Sequence, residues 1–329
     1  MQEDFVFTEI SQEPQLISFY NDKSRKRDGH SFVAKLVYRE ELDGIDEIDV
    51  KKVRPDLRDI SKRAKFAIHY GGNGSTVSKN LGLSIEEGNG FEITYFKAFP
   101  GISSYFKKVK KESWDQGYIL ISKYTGHKFY IHNWLYLKGA ERRFNGSYWA
   151  DYREMKPLYN WSEEWEGIAP AARNNLILQF FKDFGNGMTL DQIVSKEYSY
   201  VRRNKLGNVM ESFKKRVSKA CVMVECVKYY FNQKGTIERN ALNAPVQGTA
   251  AQITKIAGIK YFEHLVKENL LFLVWIPNTI HDEYIVEAPE ELAEQEAIML
   301  QKCMEDAGDM FCRSVKLKAV PQIGTCWLH

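Results

Sequence analysis

The sequence predicts an α+β fold in which a helical subdomain is inserted between strand-forming ends. Three observations predict it. Short apolar runs bounded by turn residues lie at 5–10, 271–276 and 284–286, while helical spacing dominates between them. A hydrophobic fraction of 44% and an aromatic fraction of 13% over 329 residues supply a substantial core. At roughly 150 residues per domain, that length corresponds to about two domains.

The elements follow in order. Residues 5–10 read as a strand. Residues 14–20 and 30–38 carry apolar positions at mixed three- and four-residue spacing and read as helices. A helix is predicted over 56–70, starting after Pro55 and stopping at Gly71–Gly72. Helical segments continue over 81–111 with breaks at Gly88, Gly90 and Pro100. Residues 117–136 read as a hairpin with Thr125–Gly126 near its turn. From 139 to about 233 the composition shifts towards Trp, Tyr and Arg without a legible motif. Residues 241–265 are predicted helical with a kink at Pro245. Strands at 271–276 and 284–286 precede a helix over 290–313. The first and last segments are expected to pair into one sheet.

Charge is nearly balanced, 46 basic against 43 acidic residues, for a net charge of +3. Disorder wants low hydrophobicity with high net charge, so a wholly disordered chain is excluded. No run of 18 apolar residues exists to span a membrane. The opening MQEDFVFTEI lacks the basic and apolar regions of a secretory signal. Five scattered cysteines lack zinc-site spacing and read as reduced thiols. The expectation is a cytoplasmic protein without a membrane partner. Charge is also patterned: Arg202, Arg203, Lys205, Lys214, Lys215, Arg216 and Lys219 form one basic run. Lys107, Lys108, Lys110 and Lys111 form a second, and 290–309 is acidic. Such basic surfaces suit phosphates.

Three constellations carry the chemistry. Arg58, Lys62, Phe66 and Tyr70 recur every four residues, on one stripe of a helix with 3.6 residues per turn. Two cations followed by two rings suit a triphosphate with a base stacked beyond it. An amphipathic helix with solvated cations and core rings shows the same spacing. Arg239, Asn243 and Gln247 also step by four; Asn and Gln can read base edges and sugars while Arg holds a phosphate. His281–Asp282–Glu283 stands between two strand-like runs, and adjacent carboxylates there call for a neutralising cation such as Mg²⁺. HEXXH and the Walker A loop are absent, which argues against zinc proteases and P-loop NTPases.

In this order the constellations resemble family A DNA polymerases, of the bacterial polymerase I and phage replicative type. Residues 58–73 are similar to that family's motif B on the fingers helix. Arg239–Asn243–Gln247 is similar to its template–primer segment, and His281–Asp282–Glu283 to motif C. Gln12–Glu13–Pro14–Gln15–Leu16 resembles the second half of motif A. Asp28–Gly29–His30 resembles the Asp-x-His that follows it, and the ending I-G-T-C-W-L-H resembles the family terminus.

The resemblance implies a right-hand palm sheet with an inserted fingers subdomain, lacking thumb and exonuclease domain. The expected division is palm at 1–40, fingers at 41–138, a family-variable segment at 139–235 and palm again at 236–329. It implies DNA-directed nucleotidyl transfer from dNTPs to a primer 3′-hydroxyl with two Mg²⁺ ions. Arg58, Lys62 and His30 would bind phosphates, and Lys62 would protonate the leaving group. Phe66 would pack on the sugar and Tyr70 near the templating base, with Gln12 and Glu13 at the nucleotide and Glu13 excluding the 2′-hydroxyl. Arg239, Asn243, Gln247 and His281 would track primer–template DNA. Asp282 would hold metal beside Glu283. Counting back from Glu13 lands on Thr8, so allowing one deletion makes Glu9 the motif A ligand, with Asp4 the fallback. Because the chain opens at motif A, a separate N-terminal polypeptide carrying the thumb is the expected partner. An inactive nucleic-acid-binding subunit is the alternative.

Overall fold

The computed structural model describes residues 2–22, 28–203 and 209–326. Helices α1 (Gln2–Ser11), α2 (Pro14–Asn21), α3 (Gly29–Val37), α4 (Val50–Val53) and α5 (Pro55–His69) come first. They are followed by α6 (Gly74–Leu81), α7 (Ile85–Ala98) and α8 (Pro100–Gln116). The hairpin β1 (Tyr118–Leu120)–β2 (Lys128–Tyr130) leads to α9 (Trp134–Arg143), α10 (Gly146–Met155) and α11 (Trp161–Trp165). After α12 (Pro170–Gly185) and α13 (Leu190–Ser195) comes the hairpin β3 (Tyr198–Arg203)–β4 (Val209–Lys215). The chain finishes with α14 (Lys219–Lys267), the hairpin β5 (Trp275–Ile280)–β6 (Glu283–Glu287) and α15 (Glu290–Phe311). Two compact units result: Met1–Phe129 with Glu238–His329, and Tyr130–Ile237.

Local chemistry sets the helix starts of the first unit. Glu13 caps α2 ahead of Pro14, Asp28 caps α3 and Asn73 caps α6, each accepting from a backbone N–H of the first turn. Ser84 and Glu87 close a reciprocal capping box on α7. The core of this unit joins Phe7 of α1 and Ile68 of α5 to Phe91, Tyr95 and Phe99, and reaches Leu242 of α14 and Phe311 of α15.

The helices over 14–20, 30–38, 56–70 and 290–313 stand where the periodicity placed them, within a residue or two at each end. The first segment does not. Residues 5–10 lie within α1, and the described residues contain no sheet joining the two ends of the chain, only three two-stranded hairpins. A short apolar run has no period of its own to separate strand from helix. Here Glu3 and Asp4 in the first turn favour a helix N-terminus. Phe7 then stacks on His69 of α5 with ring centroids 3.7 Å apart.

Gly88 and Gly90 do not break α7, which runs through both. Gly88 is there for contact: a Cβ on it would lie 2.0 Å from Ser78 Oγ and 2.3 Å from the Gly74 carbonyl oxygen of α6. The predicted helix over 241–265 is the second half of α14, which extends back to Lys219 and continues through Pro245. Ser218 starts it, its hydroxyl accepting from Cys221 N at 3.0 Å. Residues 271–273 form a turn, and the strand begins at Trp275. Pro277, which lacks an N–H, sits where the β5–β6 register slips between Trp275 and Asn278.

The second unit has its own aromatic core around Phe144, Tyr148, Phe184 and Tyr230. Arg143 donates to the carbonyls of Phe184 and Met188, both at 2.6 Å, and its guanidinium lies 4.1 Å from the Phe184 ring centre. It thereby ties the last turn of α12 to the loop that follows it. Among the described residues, no helix is long and apolar enough to cross a membrane.

Candidate active site

The site is built around the accessible face of α5. Leu57, Ser61, Ala64, Lys65, Ile68 and His69 are buried, whereas Arg58, Phe66 and Tyr70 are half-buried and Lys62 is exposed. The four-residue stripe is therefore the open face of the helix, and its rings are not core. Phe66 and Tyr70 lie nearly parallel, 17° apart with centroids at 6.4 Å, and His30 of α3 stands 5.8 Å from Phe66. Arg58 donates from Nε and Nη2 to the two carboxylate oxygens of Asp28, at 2.6 and 3.1 Å. Lys62 has no ion-pair or hydrogen-bond partner for its ammonium among the described residues.

Tyr70 is where distant segments meet. Its hydroxyl donates to Glu3 Oε2 at 2.6 Å, and the Gln247 side chain stands near it. Its carbonyl accepts from Asn243 Nδ2 at 3.3 Å. Gly71 follows at φ 81°, and a Cβ there would come within 3.2 Å of Arg239 Cα. A left-handed glycine thus ends α5 and lets it close on α14. Arg239, Asn243 and Gln247 are accordingly gathered against the end of α5. A cavity of about 580 Å³ opens beside Tyr70 and Phe66, with Arg63, Asn73 and Arg239 on its walls.

The first turn of α1 links this cluster to the β5–β6 turn. Gln2 N donates to Asp282 Oδ2 at 3.4 Å, one residue before the Glu3 that holds Tyr70. His281 and Asp282 make the two-residue turn between the paired Ile280 and Glu283, with His281 at φ 53°. Glu3 had no role in the sequence reading. Its signal was available as a carboxylate opening a helix rather than flanking a strand.

Glu9, Gln12 and Glu13 belong to a different place. Glu9 Oε2 accepts from Ser314 N at 2.6 Å, and Gln12 donates to the Glu9 carbonyl at 2.5 Å and to Ser314 Oγ at 3.0 Å. Glu13 is 1% exposed and holds Gln15 N at 3.2 Å and Gly101 N at 2.7 Å. Its two oxygens fasten the starts of α2 and α8. The fallback Asp4 is paired with the buried Lys65 at 2.8 Å. No group of three or more His, Cys, Asp or Glu placed to hold a metal occurs among the described residues. Asp282 in the turn and Glu283 at the start of β6 offer adjacent carboxylates, which alone are not a two-ion donor set. Glu9, expected to share a metal with Asp282, is instead engaged by the Ser314 N–H, to which α1 carries it.

Burial shapes the charges. It pushes the His30 pKa down to about 4, with Lys65 adding to the effect, and that of His69 down to about 3. Both rings are neutral at pH 7. Burial and then Glu3 push Tyr70 up to about 12, so it stays a hydrogen-bond donor. Of the buried side-chain atoms without a partner among the described residues, His30 Nδ1 and Asn243 Oδ1 belong to this cluster, and Ser61 Oγ lies on α5. Orphaned buried polar atoms are costly and gather where a ligand completes them.

The basic run of the second unit is largely neutralised. Lys214 and Arg216 pair with Glu197, Lys215 with Glu164 and Lys219 with Asp191. Lys205 and the side chains of Arg202 and Arg203 lie outside the described residues. So do Trp327, Leu328 and His329 of the family-like ending.

A sequence model of DNA polymerase family A matches residues 3–146 and 172–329. The chain belongs to DNA polymerase family A. DNA polymerase I of Synechocystis sp. is 22% identical over 325 residues, covering 98% of this chain and 23% of that protein. DNA polymerase I of Streptococcus pneumoniae R6 is 24% identical over 323 residues, 98% of this chain and 24% of its own length. A shorter stretch of 91 residues is 38% identical to the thermostable DNA polymerase I of Thermus aquaticus, covering 28% of this chain and 10% of the relative. The family A chain thus spans about a quarter of the first two relatives. In fold it resembles the POL domain of Pol1 from M. smegmatis, solved in complex with DNA primer-template and dNTP. The TM-score is 0.56 at 19% identity, covering 93% of this chain and 35% of that one.

Proposed function

We propose that this family A chain carries the nucleotide-binding and templating part of a DNA-directed DNA polymerase, transferring nucleotides from dNTPs to a primer 3′-hydroxyl. The observation that carries the reading is the convergence on Tyr70. Glu3 and Asn243, far apart in sequence, both bond one tyrosine at the end of a helix whose open face presents Arg58, Lys62 and Phe66.

On this reading Arg58 and Lys62 take the triphosphate, and Lys62, still unpaired, supplies the proton for the leaving pyrophosphate. His30 contributes as a neutral hydrogen-bonding ring through its orphaned Nδ1. Phe66 packs on the sugar, and the cavity beside Tyr70 admits a templating base between Arg63 and Arg239. Exclusion of the 2′-hydroxyl passes from Glu13 to Glu3, the carboxylate that actually stands beside Tyr70. Asn243, Gln247 and His281 follow the duplex. Segments 1–40 and 236–329 act as palm and 41–138 as fingers, in a cytoplasmic enzyme.

Asp282 and Glu283 would form one side of the donor set for Mg²⁺, which would supply charge neutralisation when bound. Glu9 does not complete it. A further polypeptide carrying the remaining carboxylate and the thumb is proposed as partner. Its support is that β5 pairs with β6 alone among the described residues, and that Phe272 is 92% and Trp275 63% exposed beside it. The incomplete donor set also suits an inactive DNA-binding subunit, and one assay separates the two. Primer extension on a primed template, with the complementing polypeptide supplied, should show metal-dependent incorporation. Asp282→Ala should lower it at least a hundredfold, about 2.7 kcal/mol of barrier, with primer–template affinity unchanged. Loss of less than tenfold, or no incorporation by the unmutated assembly, would overturn the catalytic reading.

A further inference from the structure

Asp28 has no part in the mechanism so far, yet its carboxylate joins the start of α3 to Arg58 of the phosphate subsite. Its Oδ2 accepts from Ser31 N at 3.1 Å and from Ser31 Oγ at 2.7 Å, capping α3. The same carboxylate takes both Nε and Nη2 of Arg58. His30, whose ring faces Phe66, stands two residues on in the first turn of α3. One carboxylate therefore fixes the start of α3, the place of His30 and the plane of the Arg58 guanidinium.

We propose that Asp28 is the positioning residue of the triphosphate subsite, holding Arg58 by one edge of its guanidinium so that the other edge is presented to phosphate. This rests on the reading that α5 binds a triphosphate. A guanidinium offers two forks, one through Nε and a terminal nitrogen and one through its two terminal nitrogens. Asp28 occupies the first, and Nη1 of the second has no hydrogen bond among the described residues. Carboxylate and phosphate can therefore bind the same arginine together. An arginine in the first turns of a helix otherwise surrenders considerable rotamer freedom when it seizes a ligand. The Asp28 carboxylate cannot swing aside, because Ser31 holds it. Burial works against its charge, but the hydrogen bonds from Arg58 and then Ser31 prevail and keep it ionised well below the ordinary carboxylate range.

Asp28→Asn tests this, since asparagine caps helices as well as aspartate does but loses the charged clamp. The readout is binding of a fluorescent dATP analogue and of the matching deoxynucleoside to the full chain. Asp28→Asn should weaken the triphosphate about tenfold, leave the nucleoside unchanged and keep the thermal midpoint. In an Arg58→Ala background the same change should add less than about twofold, the mark of two residues acting as one. If Asp28→Asn does not fold, Asp28→Ser keeps a cap too short to reach Arg58 and should give the same loss. Unchanged or tighter triphosphate binding in the folded variant would overturn the proposal, the latter by making Asp28 a competitor. Arg58→Ala alone guards the underlying reading. No loss there refutes the triphosphate subsite itself, whereas loss there without loss in Asp28→Asn refutes only the role of Asp28.

Discussion

Tyr70 and its neighbours show how much of the site single residues disclose. The four-residue steps of Arg58–Tyr70 and Arg239–Gln247 were legible because both lie on helices whose period the sequence carries. Which glutamate meets Tyr70 was not. Glu3 and Glu13 are ten residues apart, and the choice between them turns on whether 5–10 is strand or helix. The two now separate experimentally. Glu3→Ala should raise ribonucleotide use relative to deoxyribonucleotide in the complemented enzyme, with little change in stability. Glu13→Ala should instead cost about 1–2 kcal/mol of unfolding free energy, seen in denaturant melts, without altering sugar preference. The reverse pattern would restore Glu13 to the site. The buried histidines give a pH signature. His30 and His69 titrate near 4 and 3 in the folded chain, below the 6.5 of a free histidine. Between those values the unfolded chain binds protons that the folded one refuses, so stability is full above pH 6.5 and falls as pH drops towards 4. The slope is at most about 1.4 kcal/mol per pH unit for each ring. Asp4 and Asp28 have lowered pKa values and act only below the ordinary 3.8, outside this window. Urea melts from pH 7 to 4.5 should show the decline, and His69→Leu should reduce its slope. An undiminished slope in that variant would remove His69 from the account.

At the scale of elements, the glycines of α7 were misread as breaks because sequence shows a missing side chain but not what fills its place. Gly88 lies against α6, with Ser78 Oγ anchored to the carbonyls of Gly74 at 2.9 Å and Ser84 at 2.7 Å. Gly90, on the same helix, has nothing within 4 Å of a Cβ. Gly88→Ala should therefore destabilise by about 1–3 kcal/mol or more through overpacking. Gly90→Ala should stabilise by up to about 1 kcal/mol through helix propensity. Thermal melts of the two variants should move in opposite directions, and a shared sign would contradict the packing of α6 on α7. The long reach of α14 was equally hidden: Ser218 offers a cap, but residues 219–240 show no stripe distinct from the aromatic-rich stretch before them.

At the scale of the whole molecule, the α+β class was legible, and the chain forms a discontinuous unit, Met1–Phe129 with Glu238–His329, and a second, Tyr130–Ile237. Among the described residues no sheet joins the two ends, because the first segment is a helix and brings no strand to pair. The consequence is an apolar stripe. Ile259, Phe262 and Val266 recur on one exposed face of α14, and Phe272 and Trp275 are exposed in the turn and strand that follow. The isolated chain should self-associate through this face at micromolar concentrations. Light scattering should show Phe272→Lys with Trp275→Lys shifting the sample towards monomer at unchanged helix content. Monodisperse unmutated protein would dismiss the stripe as an adhesive surface.

The hydrogen bond from Gln2 N to Asp282 has a practical corollary. Anything fused ahead of Gln2 emerges beside the carboxylate on which turnover is proposed to depend. An amino-terminal purification tag is therefore expected to depress activity unless it is cleaved off, and its removal is a simple control for every kinetic comparison made with this chain.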